Sequence, residues 1–179
     1  MAKSYTQITR KTPDLSVVQA DWNTSVVGNI NNLMIPPACN VYNTTDLSVN
    51  SATWTTVTHN SERFDTDTLH STSTNTGRIT IGTAGKYLFV ANGAFANNAT
   101  GSRYMQILKN GTLAIAYDNQ EVSSAGDWTQ MQVNAMWNCA VNDYFEVRVY
   151  QTSGGALSWY GSGTFEAVGF AACFMGLEN

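Results

Sequence analysis

Two histidines, two serines and two aspartates fall in one short stretch: His59, Ser61, Asp65, Asp67, His70 and Ser71. These are the residue types of a hydrolytic triad, in which a histidine takes a proton from a serine and a carboxylate orients the imidazole. The pattern around them argues against that chemistry. Both histidines lie in a polar segment, and no Gly-x-Ser-x-Gly elbow presents a nucleophile, so no catalytic residue is expected. The Asp65-x-Asp67 pair offers oxygen ligands to a hard cation such as calcium. The loop lacks the further acids of a dedicated site, so a solvated turn and no cofactor are expected. Cys39, Cys139 and Cys173 are widely spaced, odd in number and without the paired spacing of a zinc site, which leaves buried thiols. Tyr104, Tyr117, Trp128, Trp137, Tyr150, Trp159 and Tyr160 could instead stack on sugars. Trp159-Tyr160, in a glycine-rich loop, is the best ligand platform among them, because exposed aromatics on loops are costly without a partner. Core or subunit contact is the expectation for most of the others.

The chain that must position these groups has 179 residues, 43% of them hydrophobic, enough for the core of one medium domain and a short appendage. Only 12% are charged, while Thr, Ser, Asn and Gly abound, which is the make-up of a β-rich surface solubilised by hydroxyls and amides. A net charge of -4 excludes nucleic acid as the main partner, since phosphate binding needs a basic stripe. No apolar run is long enough to span a membrane, and the N-terminus lacks the apolar core of a secretory signal. The expectation is a soluble protein made in the cytoplasm.

Residues 1 to 37 read as an anchor. Lys3, Arg10 and Lys11 make a basic arm, opposite in sign to the acidic body, and suited to docking on an acidic surface. From Gln19 to Met34 the period becomes helical. Trp22, Val26, Ile30 and Leu33 form one apolar stripe, and Ile35-Pro36-Pro37 ends the helix. An amphipathic helix of this length must pack on something: its own β-domain, the same helix in sister subunits, or a foreign surface.

From residue 38 to 179 the period is that of strands. Ala38 to Asn43, Ala52 to His59, Arg78 to Ile81, Tyr87 to Ala91, Ser102 to Lys109 and Thr112 to Tyr117 read as strands, with Asn110-Gly111 a two-residue hairpin. Gly82-Thr-Ala-Gly85 reads as a tight reversal between two of them. Trp128 to Trp137 alternates, with Met131, Val133, Ala135 and Trp137 against Gln130, Gln132 and Asn134; Asp143 to Gln151 alternates as cleanly. The last strand, Thr164 to Met175, is apolar on both faces, with Phe165, Ala167, Ala171 and Cys173 on one side and Val168, Phe170, Ala172 and Phe174 on the other. In a small domain, a strand buried twice implies that its outer face meets another subunit. So many short antiparallel strands make a two-sheet sandwich the natural architecture.

In order and approximate spacing, Phe64-Asp65, Leu69-His70, Gly85-Lys-Tyr-Leu-Phe89, Lys109-Asn-Gly-Thr112, Asn142-Asp143-Tyr-Phe-Glu-Val147 and Gly163-Thr-Phe165 resemble the landmarks of the complement component one q and tumour-necrosis-factor superfamily. The resemblance covers about Cys39 to Phe174. It implies an all-β, antiparallel jelly-roll sandwich that forms a homotrimer, with the C-terminal and Gly-x-Tyr-x-Phe strands facing the axis and Tyr87, Phe89, Phe170 and Phe174 as interface residues. The collagen-like stalk and secretion signal of complement relatives are missing, which favours a microbial or viral setting. Ser16-Val-Val-Gln-Ala-Asp-Trp-Asn-Thr24 with Asn29-Ile-Asn-Asn-Leu33 and Pro36-Pro37 resembles the N-terminal leader of many tailed-bacteriophage virion proteins. Two functions follow as expectations. One is a non-enzymatic trimeric virion protein that decorates or cements the capsid or tail and docks on a shell or tail protein. The other is a receptor-binding module at a tail or fibre tip, recognising host carbohydrate or protein.

Overall fold

The computed structural model describes residues 22–122, 127–164 and 166–177; the basic arm and Phe165 lie outside the described residues. Twelve strands among them form two antiparallel sheets. In the seven-stranded sheet, β6 (Gly85–Phe95) is the spine, an eleven-residue strand whose backbone pairs along both edges. It runs beside β9 (Thr129–Cys139) on one side and β12 (Gly169–Gly176) on the other; β12 leads on to β1 (Ala38–Tyr42) and β4 (Ser61–Asp65). Short β11 (Leu157–Trp159) meets β6 where Trp159 opposes Phe95, and pairs in turn with β2 (Leu47–Val49). In the five-stranded sheet, β10 (Tyr144–Gln151) pairs with β7 (Ser102–Lys109), and β7 with β8 (Leu113–Glu121). Along its other edge β10 meets β3 (Thr55–Thr56) and β5 (Arg78–Thr80).

The two sheets close on an aromatic core. Phe89 of one stacks on Phe145 of the other at 4.0 Å between ring centroids, and Phe170 lies 6.2 Å from Phe89. Burying such side chains contributes roughly 1.5–3 kcal/mol each. Asn110 and Gly111 have the positive φ of the expected turn, 51° and 71°, but three residues, 110 to 112, separate β7 from β8 and Lys109 opposes Leu113, so the hairpin loop is one residue longer than expected.

Several expected elements differ. The glycine-bounded segment after β5 is no hairpin: β5 and β6 belong to different sheets, and the segment crosses between them. The Tyr87 hydroxyl donates to the Thr83 carbonyl at 2.8 Å and pins that crossing. The last strand starts at Gly169 rather than Thr164. The strand expected from Ala52 to His59 shrinks to two residues, and Ala52 itself has a positive φ of 57°. At the N-terminal side, α1 (Gly28–Met34) follows a π-helical turn, Trp22–Val27, and ends at Ile35, whose N–H donates to the Asn31 carbonyl. Pro36 and Pro37 are already tied to the sandwich. Thr66 Oγ1 donates to the Pro36 carbonyl at 2.7 Å, and the Phe174 amide donates to Pro37 at 2.9 Å.

Candidate assembly surface

Side chains alternate across β6, so the residues between the core aromatics define the outer face of the seven-stranded sheet. Strand register places Met136, Leu88, Cys173 and Ala38 side by side in one row across β9, β6, β12 and β1. All four are apolar, and Met136 is 61% exposed. The next row reads Asn134, Val90, Ala171, Asn40 and Phe64; the one after reads Gln132, Asn92 and Gly169. The face thus grades from aliphatic at one end to carboxamide at the other.

Tyr87, Phe89, Phe170 and Phe174, the residues expected at the trimer interface, lie on the opposite side of these strands. Tyr87, Phe89 and Phe170 are fully buried, and Phe174 packs edge-on against Tyr87 at 5.4 Å. Tyr87, Phe89 and Phe170 build the core between the sheets and present no surface to a neighbouring subunit, while Phe174 is partly buried at the margin of that core. A strand apolar on both faces does not say which face is which; the positions that do face outward are Leu88, Val90, Ala171 and Cys173.

Of the anchor residues, Trp22 opens the π-helical turn, Val26 is half-buried, and Ile30 and Leu33 are exposed, Leu33 at 78%. Met34 and Ile35 continue the exposed apolar run. A helix this short, with no side-chain cap at its N-terminus, gains little from its own hydrogen bonds. Its apolar side chains are presented outward rather than laid on the sandwich.

Solved structures match this arrangement over most of its length. The globular domain of zebrafish complement 1qA superimposes with a TM-score of 0.53 at 14% identity, covering 79% of this chain and 99% of that one. Eiger TNF from S. frugiperda gives 0.58 at 12% identity, covering 80% and 96%. Murine APRIL gives 0.57 at 8% identity, covering 78% and 98%. The fold is the C1q/TNF-like jelly roll. No protein-family model matches the sequence, and no curated protein matches it either.

In this jelly roll the His, Ser and Asp cluster near β4 is a structural knot. Asp65 Oδ1 accepts the backbone N–H groups of Asp67 and Leu69 at 3.0 and 3.1 Å, and Oδ2 accepts that of His70 at 2.9 Å. A carboxylate so engaged fixes a turn, and no cluster of three or more metal-ligating side chains exists among the described residues. His70 Nε2 donates to the Thr76 carbonyl at 3.1 Å while Nδ1 meets Glu62 Oε1 at 2.8 Å. His59 is buried between His70 and Phe170, with ring centroids 6.2 and 6.1 Å away. Ser71 turns to Ser73 instead of to either imidazole. Cys39 and Cys139 are buried thiols, and Cys173 is a half-buried one. Burial pushes Cys139 up to about 12, so it is inert as a nucleophile.

Trp159 is not a loop platform. It lies in β11, only 4% exposed, edge-on to Phe95 at 5.0 Å and pressed on Gly93 so closely that a Cβ there would meet its ring. The glycines around it hide a three-residue strand. Tyr160 is half-buried, and exposed Trp128 stands edge-on to it at 6.5 Å. Trp159→Ala is therefore a core truncation, expected to cost about 3–5 kcal/mol in a urea melt; loss of at most a few tenths would place the ring outside the core.

Proposed function

We propose that this chain is a non-enzymatic structural subunit of a tailed-bacteriophage virion. It assembles as a homotrimer through the outer face of the seven-stranded sheet and decorates or cements the capsid or tail surface. The observation that carries the reading is the contiguous apolar row of Met136, Leu88, Cys173 and Ala38 on the outer face of the seven-stranded sheet. A contiguous apolar row of this kind marks an interface, and a head-to-tail contact repeated around an axis closes it without leaving an open edge. The C1q/TNF-like fold supports three as the number of copies.

The virion setting is supported by the likeness of the leader to those of phage structural proteins and by the outward-facing Ile30, Leu33, Met34 and Ile35. An amphipathic helix whose apolar side chains face outward suits docking on a shell or tail protein. The non-enzymatic reading is supported by histidines committed to packing, to a backbone carbonyl and to the Glu62 carboxylate rather than to a serine.

The test pairs light scattering with particle binding. The full chain is expected at three times its monomer mass. Deletion of residues 1 to 35, which spares the hydrogen bonds of Pro36 and Pro37, leaves that mass and the melting point unchanged but abolishes association with virions. Retained association refutes the anchor; a monomeric full chain refutes the trimer.

A further inference from the structure

The outer face of the five-stranded sheet gathers aromatic rings from four separate segments. Tyr150 on β10 and Tyr104 on β7 are register partners with centroids 5.4 Å apart. Trp54, just before β3, lies 5.1 Å from Tyr150 and 6.3 Å from Tyr104, and Tyr117 on β8 lies 6.1 Å from Tyr104. Trp54 is 37% exposed and Tyr117 54%. In the neighbouring row Arg148, Gln106 and Tyr117 stand side by side. The Arg148 guanidinium sits 4.5 Å over the Trp54 ring, and its Nε donates to Gln106 Oε1 at 2.9 Å.

Two features of this face say what covers it. Its rings are set among an amide, a guanidinium and phenol hydroxyls, whereas the Leu88 row on the other sheet is purely aliphatic. A second copy of the chain gains most from burying the aliphatic row, while the aromatic face suits a ligand that is apolar in its middle and polar at its rim. The donors are also held in place. Arg148 is fixed at both Nε and the guanidinium plane, so little side-chain entropy is lost when its remaining N–H groups are used. Among the described residues, those N–H groups and the hydroxyls of Tyr104, Tyr117 and Tyr150 meet no protein partner.

We propose that this face binds a glycan chain. Pyranose rings present flat C–H surfaces to the tilted aromatics and a rim of hydroxyls to the arginine, the amide and the phenols, and an open platform across β10, β7 and β8 takes an extended chain rather than a small molecule. With Arg148 as its cation on a chain of net charge -4, a neutral glycan fits better than a polyanion. The inference does not rest on the trimer, because the platform is on the opposite side of the sandwich from the Leu88 row.

The full chain is titrated with chitohexaose, cellohexaose and maltohexaose, following tryptophan fluorescence, and screened on an array of neutral microbial glycans. Saturable binding to at least one of these is expected. Tyr117→Ala and Trp54→Ala should each weaken it by about tenfold or more, with unchanged mass and a folded circular dichroism spectrum, whereas Trp128→Ala should leave it intact. Four outcomes overturn the proposal: no neutral glycan bound, binding indifferent to both platform substitutions, binding lost in Trp128→Ala instead, or a platform substitution that changes the oligomeric mass and so identifies the face as a subunit or protein contact.

Discussion

Leu88→Glu and Met136→Glu should each convert the proposed trimer into a folded monomer. The two positions are cross-strand neighbours in the aliphatic row, one on the central strand and one on the strand beside it. A trimer closing on that row would bury a carboxylate from every subunit with no cation opposite. An uncompensated buried charge costs about 3–5 kcal/mol, and like charges gathered near an axis add to it. The isolated subunit pays almost nothing at Met136, which is 61% exposed so that glutamate there remains in water, whereas Leu88 is half-buried between two strands, so Met136→Glu is the cleaner of the two variants. Substitutions at such surface sites usually change stability by less than about 0.5 kcal/mol. Light scattering should report one third of the wild-type mass, with a circular dichroism spectrum close to that of the wild type. Tyr117→Glu, on the opposite sheet, should leave the mass unaltered. If both row variants keep the wild-type mass, the seam lies elsewhere and the role built on it is lost.

Alternation in a sequence reveals local properties and not which face of a strand meets the core. The hairpin at Asn110-Gly111 and the strand around Met131 and Val133 were legible because positive-φ turn chemistry and a one-sided apolar pattern are local properties. The C-terminal strand was legible as doubly apolar, but its pattern is symmetric, so the large aromatics were assigned outward although only the gap between the sheets has room for them. Strands β2, β4 and β11 were missed as strands: they are three to five residues long, and β11 is flanked by glycines that read as loop. That same flank made Trp159 look like a platform. The aromatic platform was invisible for a different reason. Trp54, Tyr104, Tyr117 and Tyr150 come from four segments, and only strand pairing brings them together. The β5-to-β6 connection failed similarly, since a glycine-bounded turn between two strands does not state whether both join one sheet.

The second large effect is a loss of stability in acid that tracks His59. Burial, together with the neighbouring His70, holds its pKa down to about 3, against 6.5 for the free side chain. Its Nδ1 has no hydrogen-bond partner among the described residues to offset the cost of charging. Below pH 6.5 the unfolded chain binds a proton at this position and the folded chain does not, so stability is full above 6.5 and falls as pH drops toward 3. The slope for one proton is at most about 1.4 kcal/mol per pH unit. Because acid acts on the whole chain, the informative quantity is the difference between wild type and His59→Phe. Phenylalanine keeps an aromatic ring beside Phe170 and cannot be protonated. Urea melts at pH 7, 6, 5 and 4 should show the variant gaining on wild type with each step below 6.5, by a total of about 2–3 kcal/mol by pH 4. Parallel pH profiles for the two proteins would mean that His59 is charged or solvent-accessible in the folded state, contrary to its place between His70 and Phe170.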